Sequence, residues 1–221
     1  MAAETLRRIL VVAPHALDEA LGVGGTMARH AKAGDAVETL VLFGDGTGTD
    51  EPRRLAAVRA AGVLGTRPPR FAGFVENNSD QTPLAGLVAA VESAVRQHHP
   101  QTIYVPWGGG LHNDHRVAFQ AAATASRALP GSSVEAVYAY EILSSSEWST
   151  GPAFRPVRFV EIGTTLEAKI AAIACYASDL KAAPHARSLD ACRALALLRG
   201  AAVGCSAAEA FETVRDLVRE V

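Results

Sequence analysis

Five apolar residues in a row, Ile9-Leu10-Val11-Val12-Ala13, run into Pro14-His15 and then, from Asp18, into a helical pattern. An uninterrupted apolar run of that length reads as a strand buried on both faces, the kind found in parallel sheets. The same design recurs. Val37–Phe43 is a strand pattern ending in Gly44-Asp45-Gly46-Thr47-Gly48. Thr102–Pro106 is a third, ending in Trp107-Gly108-Gly109-Gly110-Leu111. Strands that alternate with helices imply an α/β fold with a mostly parallel sheet and helices on both faces. The 221 residues suffice for one such domain, and a single domain over residues 1–221 is expected.

The helices are expected over Asp18–Ala33, Glu51–Leu64, Pro83–His98, Asn113–Ala128, Leu166–Tyr176 and Ser188–Gly200. Pro52 falls in a first turn, and Gly65 sits where a helix end takes a glycine. Further strands are expected at Arg70–Phe74, Val134–Ile142 and Val157–Ile162, and a terminal helix at Ala207–Val221.

Composition excludes some functions. The hydrophobic fraction is 49% and the charged fraction 20%, with net charge −2; no basic block exceeds Arg53-Arg54, so no nucleic-acid footprint is present. The N-terminal apolar run is too short for a signal or membrane helix. Cys175, Cys192 and Cys205 have no metal-motif spacing. An odd count without a signal peptide fits a reducing cytoplasm. A dinucleotide site would need its glycine turn directly after the first strand, whereas Gly22-Val23-Gly24-Gly25 comes later, inside the helix pattern.

In open α/β sheets ligands lie outside the carboxyl ends of the strands. His15, Asp45 and the cluster His112-Asn113-Asp114-His115 all fall there. Catalytic zinc takes three protein ligands from imidazole nitrogen and carboxylate oxygen and keeps one position open. His15 and Asp18, three residues apart across a strand-to-helix turn, can meet at one point, with His115 as the third ligand. Zinc or another divalent ion held there would lower the pKa of bound water to roughly 7. His112 is placed to polarise a carbonyl or protonate a leaving group, and Asp114 to orient either imidazole. Plainer roles also fit. Asp18 suits a helix N-cap, His112–His115 a polar turn, and Asp45 a turn residue. His98-His99 fits a helix end, where cationic character complements the dipole, and His30 a surface or satisfied core position.

These residues resemble the PIG-L/LmbE-type zinc-dependent N-acetylglucosaminyl deacetylases. The family's first signature, a strand, then Pro/Ala-His-Pro-Asp-Asp-Glu and Leu-Gly-x-Gly-Gly-Thr, is similar to Ala13-Pro14-His15-Ala16-Leu17-Asp18-Glu19-Ala20-Leu21-Gly22-Val23-Gly24-Gly25-Thr26. Its second is similar to His112-Asn113-Asp114-His115-Arg116. Similarity continues through Tyr140-Glu141, Leu166-Glu167-Ala168-Lys169, Pro184-His185-Ala186-Arg187-Ser188 and Ala208-Glu209-Ala210-Phe211. The resemblance implies an LmbE-like, Rossmann-like three-layer fold and hydrolysis of an amide C–N bond, with an N-acylated amino sugar or glycoconjugate as substrate. It implies His15, Asp18 and His115 as zinc ligands, and His112 with Asp114 as catalytic residues. It also implies Asp45, Arg53, Arg187 and Glu209 around the substrate. A homo-oligomer stays open, because the glycine-rich loops suit a neighbouring subunit as well as a ligand.

Two positions depart from the pattern. Ala16 stands where the family has proline, and Leu17 where it has the aspartate that acts as general base. Losing such a base costs about 100- to 10,000-fold. Another acid, such as Asp45 or Glu19, takes its place; or the protein binds metal with little hydrolysis; or an apolar wall serves a different reaction.

Overall fold

The computed structural model describes residues 6–45 and 51–218. The elements run β1 (Arg8–Ala13), α1 (Asp18–Lys32), β2 (Ala36–Gly44), α2 (Glu51–Leu64), β3 (Arg70–Val75), α3 (Leu84–His98), β4 (Thr102–Pro106) and α4 (Asn113–Ala125). They continue with β5 (Ala136–Tyr140), β6 (Arg158–Glu161), α5 (Leu166–Ala174), α6 (Leu189–Ala201) and β7 (Ala208–Asp216). The seven strands form one sheet in the order β3-β2-β1-β4-β5-β7-β6. The first five strands of that order pair in parallel; β7 is antiparallel to both β5 and β6.

Side chains alternate across β1, as strand geometry requires. Ile9, Val11 and Ala13 join a core with α1, α2, α5 and α6; Leu10 and Val12 join a second core with α3 and α4. This is the expected three-layer α/β arrangement. Its strand order reverses between β1 and β4, and the crevice at that switch point is where the β1–α1 and β4–α4 turns meet.

The terminal helix expected at Ala207–Val221 is not what forms. Residues 208–216 are strand β7. Alanine and glutamate favour helix, but Ala208, Glu209, Ala210 and Phe211 are all buried between β5 and β6. Tertiary context overrides the local preference. The other expected elements form with ends shifted by a few residues.

The glycine tail of the first motif has a packing cause. A Cβ on Gly22 would lie 2.1 Å from Cδ2 of Tyr140, and one on Gly25 2.7 Å from Cδ1 of Ile162. Only glycine lets α1 lie this close to the end of β5 and the chain after β6. Tyr140 in turn donates its hydroxyl to the Val12 carbonyl at 2.9 Å, tying that contact to β1. Among the described residues no helix is long and apolar enough to cross a membrane.

Candidate active site and metal centre

The β1–α1 turn is held from several sides. The Phe43 N–H donates to the Pro14 carbonyl at 2.8 Å, which fixes the end of β1 against β2. The Asp18 carboxylate accepts the His15 N–H at 3.0 Å. Asp18 is therefore not the helix N-cap. Leu17 occupies that position, with φ +95° and no side-chain cap bond, and Asp18 is the first helical residue, its carboxylate turned back to His15. A leucine at positive φ costs about 1–3 kcal/mol. The turn is secured by the Leu17 N–H, which donates to Glu19 Oε2 at 3.0 Å, and by a short bond from Tyr176 to the other Glu19 oxygen.

The second turn starts α4. His112 is its N-cap, its Nδ1 accepting the Asp114 N–H at 3.2 Å. The neutral imidazole therefore carries its proton on Nε2. One helical turn on, His115 is buried within α4.

The two turns converge. His15 Nδ1 lies 3.1 Å from Asp18 Oδ2, and His115 Nε2 lies 3.4 Å from that same oxygen. His15 Nε2 meets Asp114 Oδ2 at 2.9 Å, and the Asn77 N–H donates to that oxygen at 2.8 Å. Ligand atoms of His15, Asp18 and His115 lie within 4.8 Å of one another; those of His15, His112 and Asp114 do likewise. His115 Nε2 and Asp114 Oδ1 are buried with no hydrogen-bond partner. Burying such atoms unpaired is costly, and an ion among them would relieve it. The donor set of two imidazoles and a carboxylate suits zinc.

The imidazoles and carboxylates shift one another's titration. Burial opposes a charge on His15, but its bonds to Asp114 and Asp18 raise its pKa to about 9. Burial opposes ionisation of Asp18, yet His115 and His15 hold its carboxyl well below the usual range. Asp114 is likewise held low, against burial, by His15 and its other hydrogen bonds. His112 is pushed down by burial and by the neighbouring imidazoles. Glu19 is pushed up to about 7 by burial.

A cleft of about 150 Å³ opens over this cluster. Leu17 forms part of its wall, only 3% exposed, and Ala16 lies beside it. Arg53 reaches in from α2, bonded to Glu76 at 2.9 Å and to Asp179 at 2.7 Å. Arg187 enters from the loop before α6, its Nε donating to Ser144 at 2.7 Å. Asp45 lies in an adjoining cavity that shares Ala16 and Arg53 with the cleft.

Glu209 is elsewhere. Its carboxylate is 4% exposed and accepts the N–H groups of Gly25 and Thr26 at 2.8 and 2.7 Å, besides the Lys169 ammonium. It does not line the cleft, because this lysine and the α1 backbone take up its oxygens. Glu19 does not line it either, since both its oxygens are engaged. His98 and His30 are structural. His98 is buried against the carbonyls of Ile9 and Ala36, and His30 bonds Asp35 and Tyr104.

Sequence reasoning missed Asn77, Glu76 and Asp179. Asn77 has φ +58°, a conformation asparagine tolerates; the Asn77-Asn78 pair after β3 was the available signal. Nothing local marks Glu76 or Asp179, whose roles depend on Arg53.

The family model for GlcNAc-PI de-N-acetylases, PIG-L, matches residues 10–126, the stretch holding both turns. The chain belongs to the PIG-L family. A 1D-myo-inositol 2-acetamido-2-deoxy-alpha-D-glucopyranoside deacetylase of Mycobacteroides abscessus is 26% identical over 250 residues, covering 87% of this chain and 88% of the relative. Among solved structures, a conserved protein of Thermus thermophilus superposes with TM-score 0.78 at 25% identity, over 97% of this chain and 98% of that one. The 4-carboxy-2-hydroxymuconate hydratase GalB of Pseudomonas putida KT2440 also reaches 0.78, at 22% identity, over 98% and 99% of the two chains. PIG-L membership accounts for both motifs; the wider fold is shared with an enzyme of another reaction class.

Proposed function

We propose that this protein is a zinc-dependent hydrolase of an amide C–N bond, acting in the cytoplasm on an N-acetyl amino sugar or a related N-acylated metabolite. The observation that carries the proposal is the convergence of His15, Asp18 and His115, with an unpartnered buried imidazole nitrogen, at the floor of a polar cleft. The deacetylase named among the relatives supports the choice of substrate class.

His15, Asp18 and His115 would hold the ion, which when bound supplies Lewis acidity and activates water at neutral pH. Asp114 fixes the orientation of His15 through Nε2, and the Asn77 N–H fixes Asp114. His112, whose Nδ1 accepts the Asp114 N–H, presents its Nε2–H as a hydrogen-bond donor to the oxygen on which charge develops, and the proton that the attacking water gives up is the one that reaches the departing amine. The paired carboxylates of Glu76 and Asp179 hold the Arg53 guanidinium at the cleft.

The base is the weak part of the arrangement. Leu17 cannot accept a proton, Glu19 is turned away, and Glu76 and Asp179 are tied to Arg53. His112 accepts a proton at Nε2 only by giving up its bond to the Asp114 N–H. A second reading therefore has its own observation, the buried Leu17 side chain in the cleft wall: a family member lacking the base that binds its ligand or runs another reaction.

Amine release from N-acetyl amino sugars, free and nucleotide-linked, with stoichiometric zinc, tests both. The natural chain and Leu17→Asp are assayed side by side. Turnover by the natural chain upholds the hydrolase. Turnover by Leu17→Asp alone supports the second reading, and turnover that persists fully without metal contradicts the first.

A further inference from the structure

Beside the polar cleft lies a cavity of different character. It sits between the carboxyl end of β2, the first four residues of β3 and the start of α2, and Phe43, Gly44, Phe71 and Gly73 contribute to its walls. Arg54 closes one side, its guanidinium stacked 4.2 Å from the centre of the Phe71 ring. Ala16 lines this cavity and the cleft alike. The two spaces are close: the Phe43 ring centre is 6.0 Å from that of His15.

Ala16 and Leu17 are the two positions at which the chain departs from its family's motif. Ala16 puts a small group on the wall between the two spaces, while Leu17 lines only the cleft. Alanine at 16 leaves less bulk between the two spaces than the proline ring would. A carbonyl carbon held at His15, Asp18 and His115 carries two substituents, which must leave in different directions. The cleft side offers Arg53, Arg187, Asn77 and His112, which suit a hydroxylated amine. The other side offers the Phe43 and Phe71 rings, Val41, Leu42 and glycine backbone, with the charged Asp45, Arg53 and Arg54 also on its walls.

We infer that this cavity is an acyl subsite: it takes the apolar chain of an N-acyl group longer than acetyl, entering past Ala16 and ending against Phe43 and Phe71. That the occupant is an acyl chain rests on the hydrolase reading; that the cavity takes an apolar group beside the ion site does not. Burial of one methylene is worth about fourfold in affinity, so specificity would rise with chain length until the cavity is full.

The test uses carboxylates, the products of such a reaction. Binding of acetate, butyrate and benzoate to the zinc-loaded protein is measured by calorimetry. Butyrate is expected to bind about tenfold tighter than acetate. Gly44 supplies the plug: a side chain added there would meet no atom of the described residues within 4 Å. Gly44→Leu should flatten the series while leaving the fold intact, and Phe71→Ala should move the best fit to a larger acid. Equal affinity for all three acids in the natural chain, or a gradient that Gly44→Leu leaves unchanged, overturns the inference. Hydrolysis of N-acetyl and N-butyryl glucosamine is followed in parallel. Graded binding without hydrolysis keeps the subsite and removes the hydrolase reading. Hydrolysis of both amides at one rate, with flat binding, removes the subsite and keeps the hydrolase.

Discussion

The protein buries two charged clusters, and they are built on opposite terms. In one, Lys169 and Glu209 meet under α1. The lysine donates to Glu209 and to the Leu21 carbonyl, while the carboxylate also accepts two N–H groups of α1. Each charged atom there has a partner. In the other, His15, Asp18, Asp114 and His115 crowd one oxygen or another, yet His115 Nε2 makes no hydrogen bond, only a 3.4 Å approach to Asp18, and Asp114 Oδ1 makes none either. Thr26 Oγ1 and Arg215 Nε also lack a hydrogen bond, but each stands alone and assembles no ligand set. Charges that are all answered within the chain belong to its architecture; buried ligand atoms left unanswered belong to something that arrives. The contrast explains why Glu209 is a structural residue although its motif resembles that of an enzyme's pocket.

The sharpest way to break this comparison is to exchange the consequences. Leu17→Asp places a carboxylate beside the second cluster and should raise amide turnover by about 100- to 10,000-fold, read as kcat/KM. It also places at positive φ a residue that tolerates it better than leucine. A smaller gain would mean that another group already serves as base. Lys169→Met leaves the Glu209 carboxylate buried without its cation and should cost about 3–5 kcal/mol in urea unfolding. His115→Ala should cost less in the metal-free protein, because it removes a 3.4 Å contact with Asp18 while His15 still faces that carboxylate. Equal losses from the two variants would erase the distinction.

Gly22→Ala sharpens the packing side. Its Cβ would meet Tyr140 at 2.1 Å, so α1 must shift, and with it Asp18. Overpacking of this kind costs about 1–3 kcal/mol, measurable as a lower Tm together with weaker zinc binding.

The smallest effect concerns His30, at the far end of α1. Burial, with the charges of Arg7 and Arg29, lowers its pKa below 6.5 despite Asp35. The unfolded chain then binds more protons than the folded one as pH falls below about 6.5, so His30 subtracts stability from there down to its folded pKa. The His30→Asn variant should lose less stability between pH 7 and pH 5 than the natural chain, in paired thermal melts. An identical pH dependence would show that His30 is not responsible.

Much of this was legible in the chain itself. Apolar runs bounded by glycine and proline located six strands, and helical periodicity located all six helices, because burial and period are local signals. The strand at 208–216 was not, since its buried alanines and Glu209 gain their meaning from β5, β6 and Lys169, far away in sequence. In the site, His15, Asp18, His112, Asp114 and His115 stood out by type and spacing. Asp179 did not, because a lone carboxylate becomes part of a cleft only when Arg53 reaches across to it.

The central claim is that the unanswered cluster is a metal centre. Zinc binding by the purified chain, stripped and then titrated against a colorimetric chelator, tests it most directly, with His115→Ala and Lys169→Met alongside. The account predicts one tight zinc per natural chain, loss of that site in folded His115→Ala, and its retention in whatever fraction of Lys169→Met remains folded. A folded natural chain that binds zinc no better than His115→Ala would contradict it.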